Sequence, residues 1–314
     1  MVKFESKLVA AMRRKRTAEG LSIRALAGTI GVSFSSLARI ERGEGDPDNN
    51  SKIRIIEWLG SYADDVGIAF DKVAFVHFRA MKNVKSSTVQ ALLRAAEKIR
   101  NDLAPDAGQV VNSNNTADHD VVALTKDELE SIAIKFRKEI GLQDEDLLDP
   151  LHLAIEGIRV LRHSQCDYLD IQTSRRLCGD SCAEWSAMSV PLASDHEKWA
   201  VLLNDCHVIE RQRVTLLEEY WHILLGHKLT KVARIADSYG RTYDKTEEHD
   251  AYFLAAATLL PKKSIERAVI TSQPTTQIAK RFGTSAELVD YRIKRLGLWR
   301  ERVGKKIILG TSSN

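Results

Sequence analysis

Between Thr215 and Pro261 the chain carries Glu218, Glu219, His222 and Asp250, four side chains whose types and spacing suit a divalent metal ion. Residues 215–227 have the apolar rhythm of a helix, and positions i and i+4 of a helix share one face. Glu218 and His222 therefore project together, as two ligands must. Glu219 stands beside the first and three residues before the second, where a general base would take a proton from a metal-bound water. A catalytic zinc uses three protein ligands and keeps one position open. The third is expected from a second apolar helix over 249–261, with Asp250 near its start. Two carboxylate ligands would neutralise the ion's charge, so its water should be less acidified, and oxygen-rich sites also suit Mn or Fe beside Zn. An ordinary amphipathic helix with solvated glutamates and a core histidine is the alternative reading. His227 lies about 140° around a regular helix from His222. It is read as a helix-end residue just past a glycine cap at Gly226, not as a ligand.

These segments resemble the ImmA/IrrE family of metallopeptidases. The lead-in Arg211-Gln-Arg-Val-Thr-Leu216 matches, and Glu219 and His222 fall on the base and second ligand of a His-Glu-x-x-His motif. Asp250-Ala251 stands where the family has Glu-Ala, and Leu259-Leu-Pro261 closes the match. The resemblance spans residues 127–297 approximately. It departs at two ligands, with Glu218 for the first histidine and Asp250 for the glutamate. It implies a zincin-like metalloendopeptidase domain with a divalent metal, first of all zinc, held by Glu218, His222 and Asp250, with Glu219 as base and a protein as substrate. An active peptidase and a degenerate site that serves only as a sensor or dimerisation module both stay open.

Near the start, Ser22 and Ser33 are N-cap residues for two short helices separated by Gly31. A short helix, a glycine turn and another short helix make a helix-turn-helix. The segment resembles XRE/Cro-type DNA-binding domains through Leu-Ser-x-x-x-Leu-Ala at 21–27, Gly-Val-Ser at 31–33 and Arg-Ile-Glu-Arg-Gly at 39–43. The resemblance implies that Ser33, Phe34, Ser35, Ser36 and Ala38 face a DNA major groove, with Phe34 and Ala38 suited to thymine methyls. Arg39 and Arg42 are placed on DNA too, although they and residues 13–16 suit either phosphates or pairs that hold the fold. The usual glutamine at the start of the second helix is Ile23 here.

The rest of the chain must position these sites. At 314 residues two domains are the default. The expected fold is mainly α with a small mixed β-sheet. An N-terminal helix-turn-helix bundle over 1–65 leads to a helical extension over 66–103, with helices at 71–81 and 87–103. A polar linker over 104–122 precedes the metallopeptidase domain, 123–314. Within that domain Thr125 and Glu128 form a capping box, short strands are expected at 186–190 and 199–203, and a helix-turn-helix-like region occupies 264–297. That region suits either the peptidase domain's helical end or a second DNA reader.

The net charge of +3 conceals an excess of four positive charges in residues 1–60 and eight in 262–314, around an acidic middle. Basic ends suit a chain whose ends meet phosphate. No run of 18 apolar residues suggests a membrane span. With no apolar signal core the protein is expected in the cytoplasm, and Cys166, Cys178, Cys182 and Cys206 are expected reduced. Cys178 and Cys182 leave a second metal or redox site open. The combined reading is a transcriptional regulator that acts as a homodimer on double-stranded operator DNA. Its peptidase would cleave a repressor, or itself, to control a stress-response or mobile-element operon.

Overall fold

The structure is a computed structural model that describes residues 4–59, 72–80, 84–105, 124–179, 181–193, 197–227, 230–235, 238–241 and 245–304. The first elements are helices α1 (Phe4–Ala18), α2 (Ile23–Ile30), α3 (Phe34–Glu41) and α4 (Asn49–Leu59), strand β1 (Lys72–Ala80) and helices α5 (Ser86–Leu103) and α6 (Lys126–Glu139). Strand β2 (Ile158–Arg162), helix α7 (Ile171–Cys178), strands β3 (Trp185–Pro191) and β4 (Trp199–Leu203), and helix α8 (Ile209–Leu224) follow. A strand pair, β5 (Thr230–Ile235) and β6 (Ser238–Arg241), leads to α9 (Lys245–Leu259). Helices α10 (Lys262–Ile270), α11 (Thr275–Phe282), α12 (Ala286–Leu296) and α13 (Trp299–Val303) complete the described chain. The architecture is mainly helical with a small sheet. Contacts divide it into one unit of residues 1–112, 165–200 and 229–244, and another of 113–164, 201–228 and 245–314.

In the first unit, α1 to α4 enclose an apolar centre in which Leu8, Met12, Leu26, Leu37, Ile53 and Ile55 are fully buried. Ser22 caps α2 by accepting from the Ala25 amide at 3.1 Å, and Gly31 ends it at φ 64°. A Cβ at Gly31 would come within 2.3 Å of the Arg54 guanidinium, which donates to the Ile30 carbonyl. Glycine suits the left-handed conformation, and any side chain there would also displace the Arg54 tip. Arg16 forks onto Glu41 and donates to the Leu21 carbonyl, while Lys15 donates to the carbonyls of Trp58 and Leu59. These two cations hold the bundle together.

The expected helix at 71–81 is corrected to a strand over Lys72–Ala80. Its run Val-Ala-Phe-Val-His-Phe is rich in β-branched and aromatic residues. It also has two antiparallel neighbours, with His77 opposite Ser189 on β3 and Val73 opposite Ala233 on β5. Tertiary pairing outweighs local helical spacing there. The second half of the expected helical extension does form, as α5. The linker over 104–122 lies outside the described residues beyond Pro105.

In the second unit, α9 is buried along nearly its whole length between α6 and α8, as expected of a helix apolar on all sides. Thr125 and Glu128 form the expected capping box at the start of α6. Arg292 of α12 is fully buried, forks onto Glu130 of α6 at 2.5 and 2.6 Å, and donates Nε–H to the Leu260 carbonyl. Arg137 of α6 donates to the Thr258 carbonyl. These paired cations anchor α9 to the helices around it. The pair α11–α12 repeats the build of α2–α3, since Gly283 closes α11 at φ 59° and Ser285 caps α12 by accepting from the Leu288 amide.

Candidate metal centre and nucleic-acid interface

Helix α8 carries the first part of the metal site. Gln212 ties its first turn to the preceding loop by donating to the carbonyls of Asp205 and His207. Arg213 holds Asp149 in a fork of 3.0 and 3.1 Å and reaches the Gly283 carbonyl. Burial pushes the Asp149 carboxyl up, but the Arg213 fork and the Leu151 amide outweigh it, so its pKa lies below the ordinary value. Tyr220 donates to the Leu153 carbonyl, and burial pushes its hydroxyl up to about 12. Arg213 and Tyr220 thereby fix the helix on the side turned away from Glu218 and His222.

Glu218, Glu219 and His222 are all buried, at 3%, 0% and 5% exposure. Donor atoms of Glu218, His222 and Glu248 lie within 4.8 Å of one another, with His222 Nε2 4.0 Å from Glu248 Oε1. Bonds of 2.0–2.2 Å in a tetrahedral site would set donor pairs about 3.4 Å apart. Small side-chain rotations close that difference, and two carboxylates with one imidazole are ordinary ligands for a divalent ion. The residues present therefore fit such an ion.

The group differs from the expected one in its third member. Asp250 is not in it: its Oδ1 lies 3.0 Å from His249 Nδ1, and His249 Nε2 lies 2.5 Å from a guanidinium nitrogen of Arg295. The arginine can only donate, so the ring accepts at Nε2 and donates from Nδ1 to Asp250. Asp250 is thus turned toward a chain that ends on α12. The helix expected over 249–261 starts earlier, at Lys245. The earlier start carries Glu248 within the first turns, and the pair Glu247-Glu248 was the available signal. His227, read as a helix-end residue, is one, and its ring also meets that of His222.

On the DNA-reading side, Ser33 caps α3 by accepting from the Ser36 amide at 3.1 Å, and its hydroxyl donates to Ser36 Oγ. Phe34 is 46% exposed, and Ser35 and Arg39 are exposed with it. Ala38, expected to meet a thymine methyl, is buried at 6%. Leu37, Ala38, Ile40 and Glu41 form the inward face of this eight-residue helix. Arg42 is engaged by Glu44 through bonds of 2.7 and 2.8 Å, which raise the Arg42 pKa and hold the Glu44 carboxyl below its usual range. The structure adds Arg24 of α2, whose guanidinium lies 5.0 Å from the Phe34 ring centre. Arg13 and Arg14 line an open cavity of about 630 Å³ along α1. At the equivalent place in the α11–α12 pair, the exposed residues of the first two turns include Glu287 and Asp290, whose charge opposes phosphate.

Two family models match this chain. A helix-turn-helix model covers residues 12–55, and an IrrE N-terminal-like domain model covers residues 167–294. No curated protein and no solved structure matches it. The chain thus joins a segment similar to DNA-binding helix-turn-helix domains to one similar to a metallopeptidase-family domain, the two-part organisation expected from its motifs. The second similarity implies a divalent metal. No helix among the described residues is long and apolar enough to cross a membrane.

Proposed function

We propose that this protein is a cytoplasmic transcriptional regulator that binds operator DNA through α3 and carries a metal-dependent endopeptidase site on α8 and α9. The observation that carries the reading is the meeting of buried Glu218 and His222 with half-buried Glu248, where buried Glu219 follows Glu218 in the chain, in a protein that also has a helix-turn-helix. Glu218, His222 and Glu248 would hold the ion, with Glu248 in the place first given to Asp250. A bound divalent ion, zinc first of all, would polarise a scissile carbonyl and acidify a water. Glu219 would serve as the base that accepts a proton from the attacking water and returns it to the leaving amide nitrogen. Burial of Glu219 keeps bulk water from competing for that proton. The substrate is a repressor or a second copy of this chain, and the controlled operon is a stress-response or mobile-element operon. Phe34, Ser35 and Arg39, with Arg24 behind Phe34, read the groove, and Ser33 and Ser36 set the helix start.

A second reading has its own support. Two carboxylates and one imidazole leave less charge on the ion than a histidine-rich set. The peptidase fold would then act as a sensor or dimerisation module. Metal content, followed by proteolysis of the chain itself and of candidate repressors with Glu219→Gln as control, separates the readings. Cleavage lost in Glu219→Gln supports the peptidase. Tight metal binding without cleavage under zinc, manganese and iron supports the sensor. For DNA, a homodimer on an inverted repeat with half-sites about one helical turn apart is expected, with binding that weakens as salt rises. Ser35→Glu should abolish it, and unchanged binding would remove α3 from the groove.

A further inference from the structure

We infer that His227 is a positioning residue of the metal centre, holding the His222 ring and fixing which of its nitrogens carries the proton. The inference rests on the metal-centre reading above. It starts from the way α8 ends. Gly226 adopts φ 62°, its amide donates to the Ile223 carbonyl, and the His227 amide donates back to the His222 carbonyl at 3.0 Å. This is a Schellman ending, which brings the residue after the glycine against the residue five positions earlier. On a continuing helix those two side chains would point about 140° apart. The glycine turn removes that separation.

The rings then meet edge to face, with centroids 4.9 Å apart and planes at 75°. Their Nδ1 atoms are 3.0 Å apart, a hydrogen-bond distance. Two imidazole nitrogens at that distance share one proton, so one ring donates and the other accepts. If His227 donates, neutral His222 carries its proton on Nε2, facing Glu248, and has no lone pair there for an ion. If His222 donates, its Nε2 presents a lone pair on the side where Glu248 Oε1 stands 4.0 Å away. Only the second arrangement makes His222 a ligand. His227 must then accept at Nδ1 and carry its own proton on Nε2. Ligand histidines commonly donate their other N–H to a carboxylate, carbonyl or water. Here a second imidazole takes that place, delivered by the helix ending.

The test uses the full chain with 15N-labelled histidine rings. In the zinc-loaded protein the His222 proton is expected on Nδ1, with a scalar coupling across the bond to His227 Nδ1. His227→Leu should remove that coupling and weaken cobalt and zinc binding by about 10- to 100-fold. His227→Asn places an oxygen near the lost Nδ1 and should restore affinity to within about threefold of wild type, by the same logic of ligand orientation. A circular dichroism melt reports whether each variant is folded. Wild-type affinity in folded His227→Leu, or a shared proton residing on His227, would overturn the inference. His222→Ala that still binds the ion fully would overturn the metal-centre reading itself. That result is distinct, because the nitrogen-to-nitrogen coupling can also be measured without metal.

Discussion

Replacing Glu248 and Asp250 one at a time decides which acidic residue of α9 completes the metal site. Glu248→Gln keeps the shape of the side chain and removes its charge. Glu248 Oε1 stands 4.0 Å from His222 Nε2, within the group that also contains Glu218. A shift of about half an ångström brings the His222–Glu248 pair to tetrahedral spacing. Exchanging one of two anionic ligands for a neutral amide should therefore weaken zinc binding by about 100-fold or more, about 2.8 kcal/mol at 1.4 kcal/mol per decade. Asp250→Asn removes charge from a residue whose oxygen lies 3.0 Å from His249 Nδ1. Its effect on zinc affinity should stay under about threefold, or about 0.6 kcal/mol. Competition against a chromophoric chelator measures both, with metal-free thermal unfolding as the folding control. A 100-fold loss in Asp250→Asn together with near-wild-type affinity in Glu248→Gln would refute the geometric argument and return the ligand role to Asp250.

Glu218→His should raise peptidase activity, or reveal it, because neutral imidazole in place of a carboxylate leaves more charge on the ion. Adding Glu219→Gln in that background should remove the gain in a fluorogenic-peptide assay. On DNA, Arg24→Ala and Phe34→Ala should each weaken operator binding measurably in a mobility-shift titration, whereas Arg42→Ala should change it less than either, because Glu44 already engages that cation. Asp149 has a depressed pKa, so its contribution to stability is complete above about pH 4, near the unfolded carboxyl value, and is lost as pH falls through the folded value. Arg213→Met should flatten the acid limb of the stability–pH curve, and an unchanged limb would show that the fork does not hold that carboxylate. Tyr220→Phe removes the bond to the Leu153 carbonyl and should cost about 1 kcal/mol by urea unfolding.

Local chemistry made several features legible in the sequence. Ser22, Gly31 and Ser33 specify a capped helix, a left-handed turn and a second capped helix through contacts within three or four residues. Thr125 and Glu128 do the same for α6. The i, i+4 spacing of Glu218 and His222 placed two ligands on one face before any fold was known. The strands over 186–190 and 199–203 were legible as short apolar runs, but other features that depend on distant residues were not. The strand over Lys72–Ala80 is fixed by partners more than a hundred residues away, at Ala187–Ser189 and Thr230–Arg234. The third member of the metal group depended on where α9 begins and which of its faces meets α8, and neither follows from the spacing of Asp250. Ala38 and Arg42 look like DNA contacts in a linear motif. Packing turns one inward and a neighbouring carboxylate engages the other. The sequence determined which residues could carry the chemistry, because caps, turns and helical faces are short-range. Only the tertiary structure decided which of them meet, because helix packing and strand pairing join groups that the chain keeps far apart.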